Sequence, residues 1–350
     1  MRSTSFKCLA LAGALVSAAL VAASPLGAAE TNAYVVTNLV SDGAVPAATV
    51  DPDLVNAWGL TASPASPWWV SDNGKNVSTL YTGSGAKVPL TVTVDGGPTG
   101  TVFNGTGAFP VPTGQSGRFV FASEDGKIRG WPGFGAAQVS ADRSAGGAIY
   151  KGLAIASTAA GPRLYATDFH NGRVDVFDGS WHLVSTSATF VDPMLPDGYA
   201  PFGIQTIGDR VFVTYGKQDA AAHDELHGQA LGLVDAYDTA GNLLARVAQH
   251  GQLNAPWGLT SAPASFGRFG GDLLVGNFGD GEINAYAELP NGHFEHRGEL
   301  RGGDGKPITI DGLWALEFGN DHSAGPSTRL FFTAGPNDEA DGLFGSIDPA

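Results

Sequence analysis

Along residues 163–178, RLYATDFHNGRVDVFD, apolar and polar positions alternate on both sides of a polar knot, Asp168-Phe169-His170-Asn171-Gly172. Alternation with a period of two marks half-buried strands, and a polar, glycine-containing break between two such runs predicts a hairpin. The pattern recurs at WWVSDNG (68–74), FVFASEDG (119–126), VFVTYGKQ (211–218), DLLVGNFGDG (272–281) and LFFTAGPND (330–338). Each is followed by a third strand, as in VSTLYTG, KIRGWPG and LVDAYDTAG. A first strand precedes most of them: NAWGLTASP from Asn56, KGLAIAST from Lys151, PFGIQTIG from Pro201, NAPWGLTSAP from Asn254 and GLWALEFGN from Gly312.

Gly59, Gly152, Gly203, Gly258 and Ala315 mark the repeat, at steps of 93, 51, 55 and 57 residues. The first step spans two units, and the strand at 119–126 belongs to the one between. Units of roughly 50 residues cannot bury their own faces, and closing them into a ring does so while removing exposed sheet edges. The expected fold is therefore all-β, a six-bladed β-propeller forming one domain over residues 30–350. AYVVTNLV (33–40) has no unit of its own and is expected to pair with GLFGSI of the last blade, closing the ring. Two stacked β-sandwiches, the alternative, leave the recurring order unexplained.

Composition agrees, with 50 glycines, 21 prolines and only 15% charged residues. The first 29 residues read as a secretory signal: Arg2 and Lys7, then an apolar run, then Gly27-Ala28-Ala29 before the expected cleavage. Cys8 is the sole cysteine, so the exported chain is expected to hold together without disulfides. The formal charge of −15 becomes −17 once Arg2 and Lys7 are lost. That argues against nucleic-acid partners and anionic membrane surfaces. The expected location is periplasmic or extracellular, with no stable membrane insertion after cleavage.

The strand–polar turn–strand unit resembles the NHL-repeat class of propellers. From about residue 33 onward the chain also resembles an uncharacterised family of exported bacterial proteins, some of them with PEP-CTERM sorting tails. The resemblance rests on DPDLVNAWGL (51–60), WWVSDNGKNVSTLY (68–81), ATDFHNGRVDVFD (166–178), FGRFGGDLLVGNFGDGEINAY (266–286) and FTAGPNDEADGLFGSI (332–347). It implies a propeller fold and no particular activity.

In a propeller the start of the first strand and the end of the second share one face of the disc. Aligned by eye, the ends of the second strands put Asp72, Glu124, Asp168 and Asn277 at one position. An oxygen ring of this kind suits Ca²⁺ or another divalent cation, in a layout that resembles gluconolactonase-like propellers. The same residues also suit turn chemistry, because Asp and Asn bond their own backbone. Trp58, Lys151, Phe202, Trp257 and Trp314 form a second ring, either stacking a sugar or other small molecule or packing between blades.

The insertion GKQDAAAHDELHGQA (216–230) is the longest of these turns, and Lys217, Asp219, His223, Asp224 and Glu225 are expected to hang over the mouth as a lid. His223 and His227 share a face if the insertion is helical. His170 has no counterpart in the other turns. AGPNDEADG (334–342) loosely resembles a calcium loop without EF-hand spacing. No nucleophile elbow, cysteine nucleophile or phosphate loop is present. Three functions remain: an exported binding or scaffold protein with an acidic face, a divalent-cation-dependent lactonase or esterase, or a purely structural envelope or matrix component with no small ligand. In the second, His170 or His223 is the base.

Overall fold

The structure, a computed structural model, describes residues 1–2 and 31–350. The expected signal and its cleavage site fall outside the described residues, save Met1 and Arg2. Residues Thr31–Ala350 form one compact unit, built as six β-sheets around a channel, as the repeat predicts.

With strands lettered from channel to rim, blade 1 is A Ala57–Thr61, B Trp68–Asp72, C Val77–Tyr81 and D Lys87–Thr93. Blade 2 runs Pro98–Phe103, Phe119–Ser123, Lys127–Trp131 and Gln138–Asp142. Blade 3 has three strands, Tyr150–Thr158, Gly161–Asp168 and Arg173–Asp178, with only a bridge from Phe177 to Leu183 at its rim. Blade 4 is Tyr199–Ile207, Arg210–Gln218, Leu233–Asp238 and Leu243–Gln249. Blade 5 is Pro256–Ser261, Leu273–Asn277, Ile283–Glu288 and Phe294–Glu299.

Blade 6 takes A to C from Leu313–Phe318, Leu330–Ala334 and Leu343–Pro349. Its D strand is the N-terminal Tyr34–Ser41, antiparallel to Leu343–Pro349, which closes the ring as expected. Tyr34 anchors the seam by packing on Phe266 and Phe269 of blade 5.

The repeat glycine has a physical cause. A Cβ on Gly59 would lie 2.4 Å from the carbonyl oxygen of Thr99 in blade 2, and one on Gly203 would lie 2.1 Å from that of Trp257 in blade 5. Gly100, Gly152 and Gly258 meet the backbone of the next blade in the same way. Neighbouring A strands thus touch backbone to backbone around the channel, which only a missing side chain or, at Ala315, a single methyl permits. Strand-B threonines tie these contacts. Thr167 Oγ1 accepts from the Gly152 N–H (2.7 Å) and donates to the Phe202 carbonyl of blade 4 (2.7 Å), and Thr333 links Ala315 to the Trp58 carbonyl likewise. Gly100, in PTGTVF, is the sixth member that the sequence pattern missed. Its predecessor is Thr99, where the other blades place an aromatic ring or a lysine.

Candidate functional site

Strand pairing decides which polar residues share a position. In every blade the A–B register shifts at the A-strand bulge next to the repeat glycine. Just before that bulge Ala57 pairs with Asp72, Pro98 with Ser123, Tyr150 with Asp168 and Pro256 with Asn277. Ser123, not Glu124, is therefore the counterpart of Asp72. This corrects the alignment by one residue in blade 2, and in a strand one residue reverses the side chain's face.

Asp72, Asp168 and Asn277 are fully buried beside their own turns. Asp72 accepts the Thr79 N–H (2.9 Å). Asp168 takes Asn171 Nδ2 (2.8 Å) and an ion pair with Arg173 (3.1 Å). Asn277 donates to the Gln252 carbonyl (2.7 Å) and to Asp280 (3.1 Å). Burial without a counter-charge holds Asp72 well above the usual carboxylate range, and burial also raises Asp168. Three of the four proposed ligands thus serve turns, and the structure does not gather the four together.

Glu124 instead aligns with Asn73, Phe169 and Phe278 at the channel mouth. Asn73 Nδ2 donates to its Oε2 (2.9 Å), and Lys151 Nζ lies 2.6 Å from its Oε1. Below this level the aromatic ring plugs the channel. Trp58 and Trp314 stack at 3.7 Å, Trp257 meets Trp314 edge-on at 5.8 Å, and Phe202 meets it at 5.9 Å. Trp58, Phe202 and Trp314 are buried, so these rings pack against one another rather than forming an open stacking surface. Lys151, 1% exposed, lies with its Nζ 5.1 Å from the Trp58 ring centroid.

The 216–230 insertion is not helical. Strand B of blade 4 runs on to Gln218 and turns back through Glu225–Leu226, pairing Lys217 with Leu226 and Gln218 with Glu225. Asp219 Oδ1 accepts the N–H groups of Ala221 and His223, which shapes the tip, and Ala222 has φ 53°. His170 Nδ1 meets the Ala222 carbonyl oxygen at 3.2 Å, and Gln218 Nε2 donates to the Phe169 carbonyl (2.6 Å). His170 therefore contacts the hairpin's backbone, a latch between blades 3 and 4. Lys217 points outward to the Asp197 carbonyl (2.7 Å) and the Tyr199 ring. His223 and His227 part company: His223 Nδ1 lies 2.9 Å from Asp224, and His227 lies 3.3 Å from Glu225 and edge-on to Phe278.

The tip carries Asp224 over the mouth, where its Oδ1 is 2.9 Å from Lys151 Nζ. Glu124, His223 and Asp224 offer ligand atoms that all lie within 4.8 Å of one another. Burial pulls the Lys151 pKa down, but Glu124, Glu225 and Asp224 more than offset this and raise it above the ordinary value.

Across the mouth, Asn337, Asp338 and Glu339 hold φ of 57°, 52° and 66° in succession. Left-handed backbone costs about 1–2 kcal/mol for each non-glycine residue, and such strain gathers at functional sites. This turn presents Glu339, whose Oε2 accepts from Asn56 Nδ2 (2.5 Å). Burial and the nearby Glu225 push its carboxyl up to about 7. Glu339 and Asn56 escaped the strand alignment because the first lies in a loop of variable geometry and the second precedes the strand. Four carboxylates thus surround one ammonium, and the mouth keeps an acidic excess.

The raised acids set a pH dependence. Glu339, and Glu317 at the far end of the channel, are each held near 7, well above their unfolded values. The folded state therefore binds more protons between about pH 4.5 and 7, and stability falls as pH rises through that window. His227, raised first by its bond to Glu225, acts in the same direction. A melting temperature several degrees lower at pH 7.5 than at pH 5.5 is expected, flattened in Glu317→Gln with Glu339→Gln. A profile rising over this range would contradict it.

No family model matches the sequence. The chain is 31% identical over 328 residues to "Uncharacterized protein R648" of Acanthamoeba polyphaga mimivirus, covering 88% of this chain and 78% of that one. It is 30% identical over 334 residues to "Uncharacterized protein L690" of the same virus, covering 89% and 85%. These relatives are viral, whereas the sequence resemblance pointed to bacterial proteins. Among solved structures, virginiamycin B lyase from Staphylococcus aureus superposes with a TM-score of 0.52 at 15% identity, over 90% of this chain and 99% of that one, a likeness of fold. By identity and coverage, this six-bladed β-propeller belongs to the family of the mimivirus proteins R648 and L690.

Proposed function

We propose that the protein is an exported binding propeller that holds a small cationic ligand, in the first place a divalent metal ion, beneath the 216–230 hairpin. The observation that carries this reading is the convergence of Glu124, His223 and Asp224 in a mouth where Glu225 and Glu339 add further negative charge. A mixed nitrogen and oxygen donor set suits Mn²⁺ or Zn²⁺ better than Ca²⁺, which takes six to eight oxygens. Three protein donors leave positions open for the oxygens of a small molecule or glycan. Lys151 competes for two of the three donors, so metal entry requires its ammonium to move aside. The apolar run that follows Arg2 and Lys7 supports export. The hydrolase reading draws no support from this geometry, because its four-residue metal set is not assembled.

After EDTA treatment, Mn²⁺ or Zn²⁺ at a hundredfold excess over Kd is expected to raise the melting temperature by about 5 °C. Ca²⁺ should do less, and His223→Ala and Glu124→Gln should each remove the shift. No shift with any of the three ions overturns the proposal.

A further inference from the structure

The A strands continue past the aromatic plug to the opposite face of the disc. After each repeat position comes one inward residue, so that Leu60, Thr101, Leu153, Ile204, Leu259 and Leu316 form a mostly apolar layer across the channel. Beyond it opens a cleft of about 430 Å³, walled by Ala62, Phe103, Ile155 and Phe318. Thr61, Ser63, Thr206 and Asn320 add polar groups to the lining, and two further polar side chains meet in it from blades that are not neighbours. Gln205 Nε2 of blade 4 donates to Glu317 Oε2 of blade 6 at 2.9 Å. Among the described lining residues Glu317 is the only titratable group, and no Lys, Arg or His joins it.

A carboxyl group half-buried in a cleft of mixed polar and apolar lining, with one amide partner and no counter-charge, is costly unless something pairs with it. The carboxylate disfavours an anion. One carboxylate and one amide are too few for a hard metal ion. The volume falls within the range of small-molecule sites, ~300–1,000 Å³, and the walls suit a hydrocarbon or aromatic body. The chain's formal charge of −15 favours the approach of cations. We propose that this cleft is a second binding site, taking a small organic cation: a protonated amine with an apolar body, its ammonium on Glu317 and its body against Phe103 and Phe318. The site is independent of the hairpin-covered mouth, and each reading can fail without the other.

Burial lifts the Glu317 carboxyl to about 7, and the Gln205 hydrogen bond only partly opposes it. No other charged group acts on it, so amine affinity should follow its ionisation. Affinity should be flat above pH 7 and fall toward tenfold per pH unit below it.

The test is titration calorimetry with 2-phenylethylamine, cadaverine and tyramine, with 2-phenylethanol as the uncharged comparison. At least one amine is expected to bind the full chain at pH 8, at least tenfold more tightly than the alcohol. The Glu317→Gln variant should lose at least tenfold in amine affinity. Its melting temperature at pH 7.5 should match or exceed that of the parent, since it removes a half-buried acid that has no counter-charge. Asp304→Asn, on an exposed loop outside both sites, should leave amine binding unchanged. The proposal falls if no amine binds, if the alcohol binds as tightly, or if Glu317→Gln or pH 6 leaves amine affinity intact.

Discussion

Gly203→Ala is expected to be among the most damaging single-methyl changes in this chain, costing ~3 kcal/mol or more and lowering the melting temperature by about 10 °C. The added Cβ lies 2.1 Å from the Trp257 carbonyl oxygen and 2.9 Å from Thr214 Oγ1. Neither can yield cheaply. The first belongs to the backbone of the next blade, and the second accepts the Gly203 N–H at 2.8 Å. Relief requires blades 4 and 5 to separate, and a closed ring passes that displacement to every other interface. Gly107→Ala is the control: no atom lies within 4 Å of its Cβ position, and its effect should stay within about 0.5 kcal/mol. Chemical denaturation of both variants checks the contrast. Similar midpoints for the two would mean that the A strands are not held backbone to backbone.

Lys151→Met should be nearly as costly, for an electrostatic reason. Methionine keeps the apolar stem near Trp58 but removes the ammonium between Glu124 and Asp224. Breaking a buried ion pair from one side costs about 3–5 kcal/mol. The lower end is expected here, because the Asp224 side chain is 60% exposed and water screens it. Two rescues follow from the same charges. Lys151→Met with Glu124→Gln should recover part of the loss, a coupling that a double-mutant cycle reads directly. Metal ions should stabilise Lys151→Met more than the parent, because the competing ammonium is gone. A Lys151→Met protein as stable as the parent at pH 7, with no coupling to Glu124, would show that the mouth charges are solvated individually.

Blade order and ring closure were readable because both have local signatures. Strand alternation records the buried face of each sheet. The small residue after Trp58, Lys151, Phe202, Trp257 and Trp314 records a backbone contact that tolerates almost nothing else. Where the signature weakens, reading failed. PTGTVF at Pro98–Phe103 carries its glycine but lacks a bulky neighbour, so the A strand of blade 2 went unseen. Without it the end of the next strand was aligned one residue late, and Glu124 was grouped with Asp72, Asp168 and Asn277. The length of the 216–230 insertion was visible in the chain, but not its direction. That depends on Asp219 shaping the tip and on His170 and Phe169 of another blade receiving it. Nothing in the sequence marks Glu317, because an acid at the end of a strand ordinarily faces water.

The amino-acid sequence by itself determined the all-β class, the number and order of blades and the N-terminal strand that closes the ring. Those features rest on side-chain periodicity and on steric demands that each residue carries with it. Only the tertiary structure decided which polar residues share a space. Lys151 meets Glu124 and Asp224 from three different blades, Glu339 meets Asn56 across the ring seam, and Gln205 reaches Glu317 across the channel. Such meetings depend on register, on the bulge in each A strand and on the rotation of one blade against the next, and a shift of one residue turns a channel ligand into a turn cap.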